Sequence, residues 1–231
     1  MTRVKAEPYD WPSQGELDLA HTALICVDWQ TDFCGKGGYV DRMGYDITLT
    51  RGGIEPARKV LDAWRGVKGT VIHTREGHRP DLSDLPPTKL WRSRLFGAGI
   101  GDLGPCGRIL VRGEPGWSII PELAPLDSEI LIDKPGKGAF FATDLQAVLR
   151  SRDITHLIFT GITTDCCVQN TMRQAHDRGV ECLLLSDCTG AADQGNYVAV
   201  IETLKTPIVS FGAVCHSRAL LGALKELARR A

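Results

Sequence analysis

The feature that most restricts the fold of this chain is a regular alternation of short apolar runs with segments of helical spacing. The apolar runs fall at residues 23–27, 70–74, 128–132, 156–160, 180–185 and 207–211. Segments with helical periodicity fall between and after them, at residues 54–65, 143–150, 168–178, 197–204 and 217–229. Apolar runs of this length are typical of strands that are buried on both faces. The order therefore predicts an α/β fold, with a doubly wound, mainly parallel sheet of six strands covered by helices on both faces.

The composition is that of one globular domain spanning residues 1–231. The chain is long enough to bury a sizeable core, and no linker or internal repeat divides it. Its net charge of −1 gives no reason to expect a nucleic-acid or membrane partner, and no apolar run approaches the roughly 20 residues of a membrane span. The first residues lack the apolar core of a signal peptide, and the eight cysteines contain no C-x-x-C pair. We therefore expect a cytoplasmic protein with reduced thiols.

Two regions do not follow the alternation. Residues 1–20 are polar and contain two prolines, and we interpret them as an N-terminal arm outside the core. Residues 75–117 are rich in proline and glycine, which is typical of a functional insertion. Because this insertion also carries Trp91, Phe96 and Trp117, we expect it to be an ordered lid or an oligomer contact.

The stretch Gly-Ile-Thr-Thr-Asp-Cys-Cys-Val at residues 161–168 is the strongest chemical signal. It lies between the apolar run at 156–160 and the helical segment at 168–178, so a cysteine stands where a strand ends and a helix begins. The free N–H groups and the positive end of a helix favour an anion at such a position. We therefore predict a thiol with a lowered pKa, and the thiolate is the reactive form of cysteine.

Two further titratable residues end predicted strands. Ligands of open parallel sheets bind beyond the carboxyl ends of the strands. The first strand ends at Asp28 and the third at Lys134, so both are expected at the same edge of the sheet as the cysteines. Asp28 is a candidate general base for a cysteine nucleophile, and Lys134 is a candidate to keep Asp28 charged and to lower the pKa of the thiol further.

At these residues the sequence resembles the isochorismatase-like cysteine hydrolases. The family pattern is an aspartate that ends the first strand, a lysine after the third, and a nucleophile turn of the form G-[IV]-x-T-D-x-C-V. The resemblance implies that Cys167, rather than Cys166, is the nucleophile, with Asp28 and Lys134 as its catalytic partners. It also implies a cis peptide bond before Thr163, whose N–H group would join that of Cys167 in an oxyanion hole.

A closer resemblance is to the biuret hydrolase branch, which includes triuret hydrolases and is near the ureidoacrylate amidohydrolases. Residues 31–39, 73–80 and 134–138 carry it. It implies cleavage of a C–N bond of a small ureido compound with release of ammonia, and it makes Phe33 a wall of the substrate pocket. The glutamine expected near position 207 is absent, since Thr206 and Pro207 stand there, which favours a ureide other than biuret, such as triuret.

Other functions remain open at this point. They are hydrolysis of ureidoacrylate or an N-carbamoyl amide, an isochorismatase-type vinyl-ether hydrolysis that needs no nucleophile, and a catalytically silent binding protein. Residues 74–78 lack the aspartate of the metal-binding D-x-H pattern of nicotinamidase relatives, and the glycines at 99–104 follow no predicted strand. We therefore expect neither a metal nor another cofactor. The resemblance further implies a homo-oligomer, often a tetramer.

Overall fold

A computed structural model describes residues 2–230 of the chain. Six strands form the main sheet: β1 (Thr22–Val27), β2 (Thr70–Glu76), β3 (Ile130–Lys134), β4 (His156–Ile162), β5 (Glu181–Gly190) and β6 (Ala213–Cys215). Their order across the sheet is β3-β2-β1-β4-β5-β6. Every neighbouring pair is parallel, which confirms the predicted doubly wound α/β fold.

Nine helices are assigned within residues 2–230. They are α1 (Thr31–Cys34), α2 (Tyr39–Arg42), α3 (Ile47–Arg51), α4 (Ile54–Gly66), α5 (Pro87–Leu95), α6 (Leu145–Ser151), α7 (Gln169–His176), α8 (Gln194–Lys205) and α9 (Ser217–Arg230). None of these helices combines the length and the apolar character that a membrane crossing needs.

The alternation of side chains along β1 divides the core into two layers. Leu24 and Cys26 belong to the cluster that contains α4 and α9. Ala23, Ile25 and Val27 belong to the cluster that contains α6, α7 and α8. Because all six residues of β1 are buried, the strand lies at the centre of the molecule and its carboxyl end is enclosed by both layers.

The predicted sixth strand at residues 207–211 is wrong. The chain forms a turn there, with Ile208 91% exposed and Val209 half-exposed, and β6 follows it at Ala213–Cys215. These three residues are buried and pair with β5. A strand of three residues is too short to show a pattern in the sequence, and the apolar residues of the preceding turn concealed it.

The interpretation of residues 1–20 as an arm outside the core is also wrong for the residues that the structure describes. Val4, Trp11 and Leu17 are buried in the same cluster as α4 and α9. Val4 and Trp11 exchange two backbone hydrogen bonds, and Glu7 pairs with Val214 at the edge of β6. The segment therefore covers an edge strand, although three widely spaced apolar residues give no periodic signal.

The insertion at residues 75–117 is ordered. It contains the end of β2, helix α5, a two-stranded hairpin of Leu103–Gly104 with Gly107–Arg108, and a 3₁₀ turn at Pro115–Trp117. The Arg75 guanidinium lies 3.7 Å above the Trp117 ring. Trp91 and Phe96 are 63% and 65% exposed. Their role in an oligomer contact stays a prediction.

Candidate active site

The site lies where the order of the strands reverses, between β1 and β4. Consecutive crossovers run to opposite sides of the sheet from these strands, which opens a crevice at their carboxyl ends. Asp28 follows β1 with a left-handed φ of 50°, a conformation that is unusual for a non-glycine residue and is concentrated at functional sites. Cys167 follows β4 in a π-helical turn, Thr164–Val168, and the bond between Ile162 and Thr163 is cis.

Asp28 and Lys134 form a fully buried ion pair. The Lys134 Nζ atom lies 2.7 Å from Oδ2 of Asp28, and both side chains are 0% exposed. Thr74 donates its hydroxyl proton to Oδ1 at 2.6 Å. Lys134 directs its N–H bonds to the carbonyl oxygens of Gly136 and Lys137, at 2.9 Å each. Oδ2 of Asp28 therefore faces the ammonium at ion-pair distance while accepting no directed hydrogen bond from the described residues.

The buried lysine keeps its charge. Burial lowers the pKa of Lys134, but the nearby carboxylates of Asp28 and Glu76 outweigh burial and raise that pKa above its ordinary value. An ammonium group is thus held permanently beside Asp28. The structure thus brings Asp28 and Lys134 together, and their catalytic roles stay a prediction.

The Cys167 thiol lies among carboxylates. Its Sγ atom donates to Oε2 of Glu76 at 3.3 Å, and the reactive atoms of Asp28, Glu76 and Cys167 all lie within 4.8 Å of one another. The neighbouring Cys166 thiol and burial raise the pKa of Cys167, and Asp28 and Glu76 raise it further, whereas Lys134 lowers it. The predicted lowering of this pKa is therefore wrong, because the hydrogen bond with Cys166 and burial, helped by the two carboxylates, outweigh Lys134 and the helix end. The contact between Sγ and Oε2 is that of a thiol that donates to a carboxylate.

Glu76, at the end of β2, is a component of the site that the sequence analysis missed. Its carboxylate is 0% exposed and lies 3.0 Å from Nζ of Lys89, 3.2 Å from Nζ of Lys137 and 3.7 Å from Nζ of Lys134. Gln30 holds its backbone with two hydrogen bonds, of 2.7 and 2.9 Å. Burial raises the pKa of Glu76, but the three lysines outweigh burial and lower that pKa well below its ordinary value.

The signal that could have found Glu76 was the one that found Asp28. The predicted second strand ends at residue 74, whereas β2 continues to Glu76. Glu76 pairs in register with Lys134 on the neighbouring strand. A strand boundary set two residues too early therefore removed this carboxylate from the predicted sheet edge.

A cavity of about 200 Å³ opens beside Cys167. Phe33 and Thr163 line it, together with Lys137, Asp165 and Asn196, and the roles expected for Phe33 and Thr163 in substrate binding stay predictions. Its volume is below the ~300 Å³ at which drug-sized ligand pockets begin, so it suits a ligand of few heavy atoms. Residues 206–209 are not among the lining residues, so the absent glutamine near 207 does not shape the cavity of this structure.

Charged side chains of both signs line the cavity. Lys137 is one of them, and Glu76 compensates its charge. Asp165 is another, and its Oδ2 atom accepts a hydrogen bond from Asn196 at 3.0 Å. Oδ1 of Asp165 is buried and has no partner among the described residues. As a lining side chain that can only accept hydrogen bonds when ionised, Asp165 favours a ligand with N–H groups.

The carboxylate and thiol groups do not fit a metal ion. Asp28, Glu76 and Cys167 are the only such cluster within residues 2–230. The ammonium groups of Lys134 and Lys89 already lie 2.7 and 3.0 Å from the two carboxylates, where a divalent cation would be repelled. His78, a histidine near the end of β2 that could have served as a metal ligand, is paired with a carboxylate: its Nδ1 atom lies 3.2 Å from Oδ1 of Asp84.

Comparison with known proteins gives the class of this fold and site. The Isochorismatase domain matches residues 22–218. Ureidoacrylate amidohydrolase RutB of Stutzerimonas stutzeri (strain A1501) is 31% identical over 221 residues, which cover 91% of this chain and 89% of that protein. The RutB protein of Agrobacterium fabrum (strain C58) is 33% identical over 181 residues, covering 77% and 79%.

Solved structures agree with these matches. A cysteine hydrolase from Pseudomonas syringae pv. phaseolicola 1448A superimposes with a TM-score of 0.77 at 25% identity, covering 98% of both chains. N-carbamoylsarcosine amidase from Thermoplasma acidophilum shares the fold, with a TM-score of 0.63 at 21% identity over 85% of this chain and 96% of that one. The fold and the buried thiol–carboxylate–ammonium centre define a hydrolase class. The chain belongs to the isochorismatase family.

Proposed function

We propose that the protein is a cysteine amidohydrolase that cleaves a C–N bond of a small ureido compound and releases ammonia without a metal. One observation carries the proposal: a buried thiol at the floor of a small cavity lies within 4.8 Å of a carboxylate that has a lysine counterion. The names of the similar proteins support it, because they include ureidoacrylate amidohydrolases and an N-carbamoylsarcosine amidase.

In the proposed reaction, Sγ of Cys167 attacks the carbonyl carbon of the bound amide. Asp28 takes the thiol proton at its Oδ2 atom as the C–S bond forms. The carbonyl oxygen becomes an oxyanion, for which the N–H groups of Thr163 and Cys167 are the proposed donors. Asp28 then returns the proton to the leaving nitrogen, the C–N bond breaks, and ammonia departs from a thioester.

Water completes the proposed cycle. Asp28, again a carboxylate, accepts a proton from the water molecule that attacks the thioester carbon. The C–S bond breaks, the acid product leaves, and Asp28 returns its proton to the Cys167 sulfur. Lys134 remains the counterion of Asp28, with Nζ 2.7 Å from Oδ2, at the start of each half-reaction.

The charges of the cavity favour a neutral ureide such as triuret or biuret. Such a molecule carries several N–H groups that can donate hydrogen bonds to Asp165. Because it is uncharged, it needs no unpaired cation in the cavity to bind it. Ureidoacrylate is the second candidate, because the curated relatives carry that name. Its carboxylate would have to approach Lys137, whose charge Glu76 already compensates.

The test is ammonia release by chelator-treated protein from triuret, biuret, ureidoacrylate and an N-carbamoyl amino acid, with pyruvate release from isochorismate measured in parallel. We expect a neutral ureide to give the largest kcat/KM, and the Cys167→Ser variant to lose turnover of every amide. A preference for ureidoacrylate would replace the substrate but keep the reaction. Turnover of isochorismate alone, retained after Cys167→Ser, would refute the amidohydrolase proposal.

A further inference from the structure

Glu76 contacts the thiol, yet it has no part in the proposed proton transfers. Oε2 lies 3.3 Å from Sγ of Cys167, and Asp28 approaches the same thiol from β1. Other charged or titratable groups lie around Cys167 and Glu76. They are Lys134 on β3, Lys137 in the loop after it, Lys89 on α5, Tyr39 on α2, and Cys166 and Asp165 in the nucleophile turn.

We propose that Glu76 is a positioning residue, which keeps Cys167 protonated until substrate is bound and holds Lys137 at the wall of the cavity. This inference rests on the proposed role of Cys167 as the nucleophile. It adds a second carboxylate to the centre and connects the insertion to it, since Lys89 belongs to α5.

The geometry explains why Glu76 orients the thiol proton and Asp28 accepts it. Both oxygens of Glu76 are engaged by ammonium groups, at 3.0 Å from Lys89, 3.2 and 3.3 Å from Lys137 and 3.7 Å from Lys134. A carboxylate stabilised by three cations is a weak proton acceptor. Oδ2 of Asp28 faces only one ammonium group and is without a directed hydrogen bond.

Glu76 also balances the positive charge around the thiol. Without it, the charges of Lys134 and Lys137 near the sulfur would be less compensated, and they would favour the thiolate. A thiolate formed before substrate arrives has lost its proton to water. The leaving nitrogen needs that proton, because one proton must move from sulfur to nitrogen when the C–S bond forms and the C–N bond breaks.

Lys89 allows the opposite perturbation. Its Nζ atom binds Glu76 at 3.0 Å and the carbonyl oxygen of Pro135 at 2.7 Å, and no contact between Lys89 and Cys167 is found among the described residues. Removing this cation leaves the negative charge of Glu76 less compensated. The Cys167 thiol should then become harder to ionise, whereas removing the charge of Glu76 should make it easier.

The experiment measures the rate at which iodoacetamide alkylates Cys167 as a function of pH. All variants carry Cys166→Ser, so that peptide mass spectrometry reports one thiol of the turn. We expect Glu76→Gln to lower the apparent pKa of Cys167 by at least about one unit, which is a rate increase of about tenfold at neutral pH. Lys89→Met should move the same profile toward higher pH. Each variant's kcat and KM are measured with the preferred amide.

Glu129→Gln is the matched control. Glu129 is another carboxylate with low exposure, paired with Arg65 at 2.7 Å and His73 at 2.9 Å, and it belongs to a different cluster of residues. Its loss should weaken the fold without moving the alkylation profile of Cys167. An unmoved profile in both Glu76→Gln and Lys89→Met, or a shift of the same sign in both, would overturn the inference.

The proposed function can fail separately. If Cys167→Ser retains turnover, the nucleophile proposal is wrong whatever the profiles show. If Cys167→Ser is inactive and the profiles of the two variants do not move, only the role of Glu76 is wrong. A Glu76→Gln protein that does not fold leaves Lys89→Met as the deciding variant, and an unmoved profile in that variant overturns the inference.

Discussion

The buried pair of Asp28 and Lys134 makes a quantitative prediction about stability. Both side chains are 0% exposed, with Nζ and Oδ2 separated by 2.7 Å. At an effective dielectric constant of about 20, two unit charges at that separation attract by about 6 kcal/mol before desolvation is counted. Lys134→Met keeps the length of the side chain but leaves the Asp28 charge buried without its cation. Breaking such a pair costs about 3–5 kcal/mol of unfolding free energy.

The assay is a double-mutant cycle in urea at pH 7. Lys134→Met, Asp28→Asn and the double variant are compared by their unfolding midpoints at constant m value. Lys134→Met leaves Asp28 without its cation, Asp28→Asn leaves Lys134 with only Glu76 at 3.7 Å, and the double variant lacks both charges of the pair. The double should therefore be less destabilised than the sum of the singles, by about 1–3 kcal/mol. Lys5→Met is the control. Its ion pair with Asp10 has a similar separation of 2.8 Å, but Lys5 is 87% exposed, so its midpoint should not change.

Two results would refute this reasoning. One is a Lys134→Met protein that is as stable as the unmodified chain. The other is a double variant whose destabilisation equals the sum of the two single variants within about 0.5 kcal/mol, since Asp28 and Lys134 would then be energetically independent.

The remaining predictions concern specificity, the N-terminal segment and acid stability. Asp165→Asn should lower kcat/KM for a neutral ureide more than for ureidoacrylate in parallel ammonia assays; equal losses would contradict a role of Asp165 in selection. Trp11→Ala should destabilise the fold by about 3–5 kcal/mol in urea, because Trp11 is 0% exposed, whereas an unchanged midpoint would contradict the packed segment. Burial raises the pKa of Glu129, but Arg65 and His73 outweigh burial and lower it to about 2. Its stabilising contribution is therefore complete above the unfolded pKa of about 4.3 and is lost as the pH falls toward 2. The stability difference between the unmodified chain and Glu129→Gln should shrink between pH 6 and pH 3, and a difference that grows would contradict this sign.

The sequence predicts the framework because the strands that form its centre are long and apolar. Five of the six predicted apolar runs overlap observed strands, while the sixth strand was misplaced into a turn. The rule that ligands bind at the carboxyl ends of parallel strands then placed Asp28, Lys134 and Cys167 at one edge of the sheet, where the structure brings them together.

Properties that depend on side-chain neighbours could not be predicted in this way. The sign of the pKa shift at Cys167 depends first on its hydrogen bond with Cys166 and on burial, to which Asp28 and Glu76 add. Glu76 was missed because the predicted end of β2 was two residues early. The burial of Trp11 depends on contacts with residues that are remote in sequence, including an edge contact with the His156 ring at 5.6 Å. The contact of Glu76 with Cys167 and that of Trp11 with His156 produce no periodic pattern in the sequence.

The proposed reaction requires Cys167 as its nucleophile. The deciding measurement is ammonia release from the preferred amide by Cys167→Ser, beside the same substitution at the adjacent Cys166. We expect Cys167→Ser to fold and to lose at least about a thousandfold in kcat, while Cys166→Ser still releases ammonia. Undiminished ammonia release by Cys167→Ser would contradict the proposed reaction.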